Sequence, residues 1–169
     1  QGNVTLDAIT TVLADNHSLT ITAGTGNIVI DDAVGVNGTE IAALTIESAG
    51  DVLFSGATAT IDVNALRIGN TTPIVADAEF DGVVNVDGLI DINTATLTVD
   101  AAVTTTAGSG GLLTVTNSGL AALNANVTSD GAMLFDGAGQ ITLGANLAVT
   151  GAAASATVNT STVQLTGAR

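Results

Sequence analysis

Carboxylates are the side chains of this 169-residue chain that are best suited to chemistry. Asp31 and Asp32 are adjacent, and Asp77 and Glu79 lie two residues apart. Two carboxylates at a set separation could serve as the acid and the base of glycoside hydrolysis. The chain has no Trp or Tyr, so it lacks the aromatic platforms on which a sugar stacks. We therefore interpret these carboxylates as solvated corner residues and expect no catalytic residue and no enzymatic activity.

Other reactive or metal-binding side chains are scarce. His17 is the only histidine, and a single ring followed by Ser18 gives no basis for an acid–His–Ser triad. Zinc is excluded because there is no cysteine and no second histidine. The calcium-binding nonapeptide Gly-Gly-x-Gly-x-Asp does not occur, since Gly110-Gly111 leads into two leucines. We expect no cofactor and no defined metal site, and weak, diffuse Ca²⁺ binding to the acidic surface stays open.

The charge balance narrows the class of partner. The net charge is −14, and Arg67 and Arg169 are the only basic residues. A nucleic-acid-binding surface needs clustered Lys and Arg, so we expect no nucleic-acid partner. The acidic surface also disfavours anionic lipid headgroups, and no apolar run reaches the roughly 18 residues that span a bilayer. The chain begins with Gln1 rather than Met. We interpret this position as a processing site or an artificial boundary of the chain.

The composition favours thin, regular aliphatic layers. Hydrophobic residues make up 46% of the chain but aromatic residues only 2%, and the mean hydropathy is +0.54. Disordered chains have low hydropathy and few β-branched residues, whereas this chain is rich in Val, Ile and Thr. A core without aromatic bulk is typical of a repeat architecture.

Apolar-x-apolar triplets recur along the chain in two series, and each triplet has the period of a strand with one buried face. Steps of 21–24 residues separate the first apolar residues of the first series, and steps of 20–25 residues separate those of the second. The first series is Val4, Ile28, Val52, Ile74, Leu97, Leu120, Ile141 and Val163. The second is Leu19, Leu44, Leu66, Ile90, Leu113, Met133 and Ala156. A looser third group includes Ile61/Val63, Val84/Val86 and Leu147/Val149.

Three short strands in each repeat of about 23 residues predict an all-β fold, a right-handed parallel β-helix of about seven coils. We expect residues 1–169 to form one β-solenoid segment, either an excerpt of a longer rod or a stacking filament subunit. Ile28, Val52, Ile74 and Leu97 are predicted to share one interior column. Gly, Asn and Asp between the triplets suit tight corners, where φ is often positive.

The segments LTITAGTGNIVI (Leu19–Ile30) and LTIESAGDVLFSGA (Leu44–Ala57) resemble the repeats of filamentous-haemagglutinin-like exoproteins and large autotransporter adhesins. The resemblance implies a secreted β-solenoid, exported through the outer membrane, that acts as an adhesive or spacer fibre. It therefore implies an extracellular or cell-surface location in a bacterium. The ligand would be a host or environmental surface.

Three functions follow as hypotheses. The first is a non-catalytic structural rod or stalk of a secreted adhesin or fibre, whose partners are flanking coils. The second is a self-assembling extracellular filament subunit, whose partners are copies of itself stacked end to end. The third, a polysaccharide-active β-helix enzyme, would require turnover of an acidic polysaccharide.

One outer column is a candidate contact surface. The middle residues of the first-series triplets should point outward, and three of them on adjacent coils are apolar: Val29, Leu53 and Val75. Stacked about 4.8 Å apart, they would form a hydrophobic ridge on an acidic rod. The alternative is that the corner segment Asp31–Ala43 folds over the ridge and buries it. The predicted outward column is Thr5, Val29, Leu53, Val75, Thr98, Ala121, Thr142 and Gln164.

Overall fold

The chain folds as a parallel β-solenoid. The computed structural model describes residues 2–9, 17–35, 41–56, 60–70, 75–106, 111–152 and 154–166, and these residues form strands and turns without a helix. All strands belong to one continuous sheet, and every pairing between coils is parallel. The predicted all-β, parallel β-helical fold class is therefore confirmed.

Seventeen strands account for the regular structure of the described residues. In chain order they are β1 Val4–Leu6, β2 Ser18–Thr22, β3 Ile28–Ile30, β4 Ala43–Ser48, β5 Asp51–Phe54, β6 Ile61–Ile68, β7 Val75–Phe80, β8 Val84–Val99, β9 Val103–Thr105, β10 Leu113–Asn117, β11 Leu120–Leu123, β12 Val127–Ser129, β13 Met133–Asp136, β14 Gln140–Leu143, β15 Leu147–Val149, β16 Ala156–Asn159 and β17 Thr162–Leu165.

The strands stack into three faces. The first face contains β1, β3, β5, β7, the last part of β8, β11, β14 and β17, which seven parallel pairings join. The second contains β2, β4, the end of β6, the middle of β8, β10, β13 and β16. The third contains the starts of β6 and β8, then β9, β12 and β15. β8 runs through all three faces.

The second face matches the sequence prediction at every coil. Its ladder places one residue of the second series above the next from Leu19 to Ala156. Alternate residues of each strand face inward, and those of the central coils, such as Leu44, Leu66 and Ile90, are fully buried. Large apolar side chains at both inward positions of every triplet except the last, which begins with Ala156, make this period unambiguous.

The first face departs from the predicted register at two coils. Ile28, Val52 and Leu97 do share an interior column, but Ala78 occupies the position predicted for Ile74, which lies outside the described residues. Ala121, predicted to point outward, is fully buried, whereas Leu120 is 42% exposed. The complete column is Val4, Ile28, Val52, Ala78, Leu97, Ala121, Ile141 and Val163.

An aromatic pair accounts for the register of β7. Phe80 stacks on Phe54 of the preceding coil, with ring centroids 5.0 Å apart and ring planes 39° apart. Offset and tilted ring contacts of this kind are favourable beyond the area they bury. Ala78, two residues before Phe80, is the small inward neighbour of this ring, so the large and the small side chain share the interior of the coil.

Two hydroxyls lie inside the third face, where the period predicts apolar residues. Thr105 and Ser129 are almost completely buried in the column that continues from Val63 and Val86 to Val149. Their oxygens are 3.0 Å apart, and both bond the carbonyl of Gly111, at 3.0 Å and 2.7 Å. Because both hydroxyls are satisfied, they can be buried at little cost.

Corners are compact because each coil lies directly against the next. Gly69 has φ of 71°, and a side chain there would collide with the Asn93 carbonyl of the following coil. Only glycine meets both requirements without strain. The corner residues thus fit the predicted pattern of small and polar types.

Candidate functional site

The outer side of the first face carries the candidate contact surface in altered form. Val29 pairs with Leu53 on the next coil, as predicted. On the next coil, Glu79 takes the position that pairs with Leu53 in this outward column. Val75 is instead fully buried and pairs with Thr94 at a corner. The predicted three-residue hydrophobic ridge is therefore an apolar pair that ends in a carboxylate.

A groove of about 290 Å³ follows this pair across three coils. Half-buried Val29 and Leu53 contribute its apolar floor, and Asp51, Asp77 and Glu79 contribute carboxylates. The complete lining is Asn27, Ile28, Val29, Asp51, Val52, Leu53, Asp77 and Glu79. We call this surface the acidic groove.

Hydrogen bonds between coils fix one edge of the acidic groove. The Asn3 Oδ1 accepts the Asn27 N–H at 3.1 Å, and the Asn27 Oδ1 accepts the Asp51 N–H at 3.1 Å. The hydroxyl of Thr96 donates to the Asp77 carboxylate. Side-chain hydrogen bonds therefore join neighbouring coils at three steps along this edge.

Within the described residues of the corner segment Asp31–Ala43, the bridged residues lie on the third face rather than over the apolar pair. Val34 bridges Ile9 and Ile61, so it belongs to the third face. Ile41 likewise bridges Val63 on the third face. Residues 36–40 lie outside the described residues.

Two further carboxyl groups join Glu79 at the end of the acidic groove. One oxygen from each of Glu79, Asp81 and Asp100 lies within 4.8 Å of the others, so the three could ligate a cation. Asp100 also accepts a hydrogen bond from the Asn124 Nδ2 at 2.8 Å. Sequence reasoning missed Asp81 and Asp100, although each directly follows an apolar-x-apolar triplet, Ala78-Glu79-Phe80 and Leu97-Thr98-Val99.

The carboxylates first considered for catalysis lie at two kinds of position. Asp31 and Asp32 are exposed in a corner, as interpreted, where Asp32 accepts the Ala33 N–H at 2.7 Å. Asp77 and Glu79 are also exposed, but they lie on strand β7 rather than in a corner. His17 is exposed just before β2.

Desolvation and like-charge repulsion act together on the Glu79 carboxyl. Desolvation, and then repulsion from Asp81 and Asp100, raises the pKa of the Glu79 carboxyl above its ordinary value. Desolvation and repulsion from Asp87 similarly raise the pKa of Asp62 on the third face. The folded chain therefore binds these two protons more tightly than the unfolded chain does.

Glu79→Gln should stabilise the fold near neutral pH. A carboxyl whose folded pKa is raised contributes stability that is present below its unfolded pKa and lost as pH rises through the folded pKa. The neutral amide removes that loss, and solvent screening limits the gain to a rise in Tm of about 1–3 °C. Thermal unfolding followed by circular dichroism at pH 7 and at pH 3.5 measures it, and the gain should vanish at the lower pH.

Asp136→Asn is the matched control for this prediction. Asp136 is exposed on the second face, so the substitution changes the net charge equally but leaves the Glu79 cluster intact. A destabilised Glu79→Gln protein at pH 7, or an equal gain in both variants, would show that desolvation and repulsion at the Glu79 carboxylate do not limit stability.

The void among the largest interior side chains is not a comparable site. An apolar void of about 10 Å³ lies between Phe80, Phe135, Ile92, Leu97 and their neighbours. It has room for at most one water molecule and is lined by apolar side chains, so it is a packing gap.

Comparisons with protein-family models, curated proteins and solved structures find no match to this chain. In the described part of the chain, no helix is long and apolar enough to cross a membrane.

Proposed function

We propose that this chain is a non-catalytic structural rod or stalk segment of a secreted bacterial surface adhesin or fibre. The supporting observation is the first-face ladder, in which seven consecutive parallel pairings join β1 to β17. A solenoid grows by adding coils of one cross-section, so it gives reach and stiffness with a repetitive sequence. Seven steps of about 4.8 Å correspond to a length of roughly 34 Å.

The acidic, outward-facing surface agrees with an extracellular role at the bacterial surface. A net charge of −14 keeps neighbouring rods apart and soluble. The two interior columns of the first face, by contrast, are apolar along the whole ladder. A distal region that binds a host or environmental ligand would complete the adhesin.

Electron microscopy of the complete polypeptide that contains this segment tests the rod role. A negative-stain image should show a straight rod whose length grows by about 4.8 Å for each 23 residues of repeat. A compact particle of the same mass would contradict the proposal.

A second candidate is a filament subunit that stacks end to end, and the last described coil is the surface on which it would stack. Val158, Val163 and Leu165 are 38%, 48% and 58% exposed, although they continue the interior columns of Phe135, Ile141 and Leu143. Exposed interior positions and unpaired strand backbones invite pairing with another coil. The next coil would come from a flanking repeat or from a copy of this chain.

Leu165→Glu should weaken end-to-end association of the 169-residue chain about tenfold or more. The substitution places a charge where a leucine would be buried by the next coil, and burial of a leucine contributes about 1.5–3 kcal/mol. Light scattering against concentration measures the association. Gln164→Glu is the matched control, because the ladder turns residue 164 outward on the same strand.

A wild-type chain that stays monomeric at high concentration would contradict end-to-end stacking. Long uniform filaments of the 169-residue chain alone would favour the filament subunit over the rod segment. An open reading frame of many hundred residues, with coils on both sides, would favour the rod segment.

A further inference from the structure

We propose that the acidic groove binds an extended basic peptide segment of a partner protein, with aliphatic stems on Val29 and Leu53 and cationic head groups at Asp77 and Glu79. This inference goes beyond the rod role and does not depend on it. It rests on the shape of the groove, on the order of its apolar and charged residues, and on the charge of the whole chain.

The groove has the arrangement that suits lysine or arginine. Both side chains combine a long aliphatic stem with a charged head, and the stem covers apolar surface while the head stays hydrated. Val29 and Leu53 are paired in register, which makes an apolar strip two coils long. Glu79 continues the same column at the next coil, so the strip ends at a carboxylate.

The edge of the groove offers a second row of charge. Asp51 pairs with Asp77 in the neighbouring outward column. Alternate residues along a strand lie about 6.6–6.8 Å apart, and adjacent coils lie about 4.8 Å apart. A single cationic head group can therefore approach carboxylates of both columns at once.

Repulsion among the acids favours a cationic occupant. Asp81 and Asp100 lie beside Glu79 at the end of the groove. Desolvation, and then repulsion from these two carboxylates, raises the pKa of the Glu79 carboxyl. A cation placed at this end relieves the repulsion, so the attraction exceeds that of one isolated surface ion pair.

The chain itself is a poor occupant. Its two basic residues are Arg67, which the ladder places on the second face between Thr45 and Asp91, and Arg169, which lies outside the described residues. Two copies side by side would bring acidic grooves together. Charge complementarity therefore selects a basic partner rather than a second copy.

Fluorescence anisotropy with a labelled peptide tests the proposal on the 169-residue chain. The probe is Lys-Val-Lys-Val-Lys. It is compared with the same peptide in which the short-stemmed cation 2,4-diaminobutyric acid replaces each lysine, and with Glu-Val-Glu-Val-Glu, in buffer of about 0.05 M and about 0.15 M ionic strength. We expect the first peptide to bind more tightly than the other two. Its affinity should fall at the higher salt concentration.

Variants locate the binding. Combining Asp77→Asn with Glu79→Gln should weaken binding of the Lys-Val peptide about three- to tenfold, as expected for the loss of two surface charge contacts. Leu53→Ser should weaken it by a similar factor through the apolar strip. Asp136→Asn, with its carboxylate on another face, should leave the affinity unchanged within about twofold.

Three outcomes would overturn the proposal. Equal binding by all variants would mean attraction to the net charge alone, and equal binding of the short-stemmed peptide would mean that the apolar strip makes no contact with the stems. Side-by-side dimers that Leu53→Ser abolishes would mean that a second copy occupies the groove. If Leu53→Ser proves unstable by circular dichroism, the Asp77/Glu79 double variant decides alone, because both side chains are exposed. Failure here would leave the rod morphology unaffected.

Discussion

Ile92→Asp should cost the fold about 4 kcal/mol or more, a large part of the 5–15 kcal/mol that stabilises an ordinary domain. Ile92 is 1% exposed and lies between Ile68 and Val115 in a second-face column. An aspartate there either buries an unpaired charge or takes up a proton, so stability should recover in part as pH falls. Chemical denaturation followed by far-ultraviolet circular dichroism measures the loss.

Asn93→Asp is the matched control for this prediction. Asn93 follows Ile92 on the same strand, is half-buried, and pairs with Thr116 on the outer side. The same charge at this position should change the free energy of unfolding by less than about 1 kcal/mol. Equal losses in the two variants would contradict the inward assignment. Ile28→Asp should repeat the large loss in the first face, because Ile28 is equally buried.

Gly139→Ala should lower the free energy of unfolding by about 2–3 kcal/mol. A Cβ at this corner would lie well inside van der Waals contact of the Gly119 carbonyl oxygen and of the Asn117 Nδ2. Asn117 cannot easily move away, because its side chain is buried and its Nδ2 donates to the Gly119 carbonyl at 2.6 Å. Thermal and chemical denaturation measure the change.

Gly144→Ala provides the comparison within the same coil. A Cβ there would meet its nearest neighbours at 3.4–3.5 Å, in or close to ordinary contact, at an exposed position. Reduced freedom of the unfolded chain should then leave stability unchanged or raise it by a few tenths of a kcal/mol. A Gly139→Ala protein as stable as the Gly144→Ala protein would show that the corners can relax.

The sequence was sufficient for the second face because its inward residues are large. Leu44-Thr45-Ile46 and Leu66-Arg67-Ile68 leave no choice of register. The first face contains alanines at two inward positions, Ala78 and Ala121. Alanine is abundant throughout this chain and carries little hydrophobic signal, so larger apolar neighbours such as Leu120 were preferred in the prediction.

The spacing between coils explains which residues of the acidic groove could be predicted. Val29 and Leu53 were correctly paired because their coils repeat at 24 residues. The place of Glu79 in this column was missed because the next step, from Val52 to Ala78, is 26 residues. The step after that, from Ala78 to Leu97, is 19 residues. The unequal steps bring Asp81 and Asp100 onto adjacent coils. Only the stacking of Phe80 on Phe54 identifies this register, and it depends on three-dimensional packing.

The parallel ladder also determines how such a rod yields under tension. Hydrogen bonds between coils run along the rod axis, so an axial pull loads them one coil at a time, as in the opening of a zipper. Each released coil of about 23 residues would add roughly 80 Å of contour length in place of about 4.8 Å of rod. The solenoid is therefore a stiff spacer at low force and a stepwise extensible tether at high force.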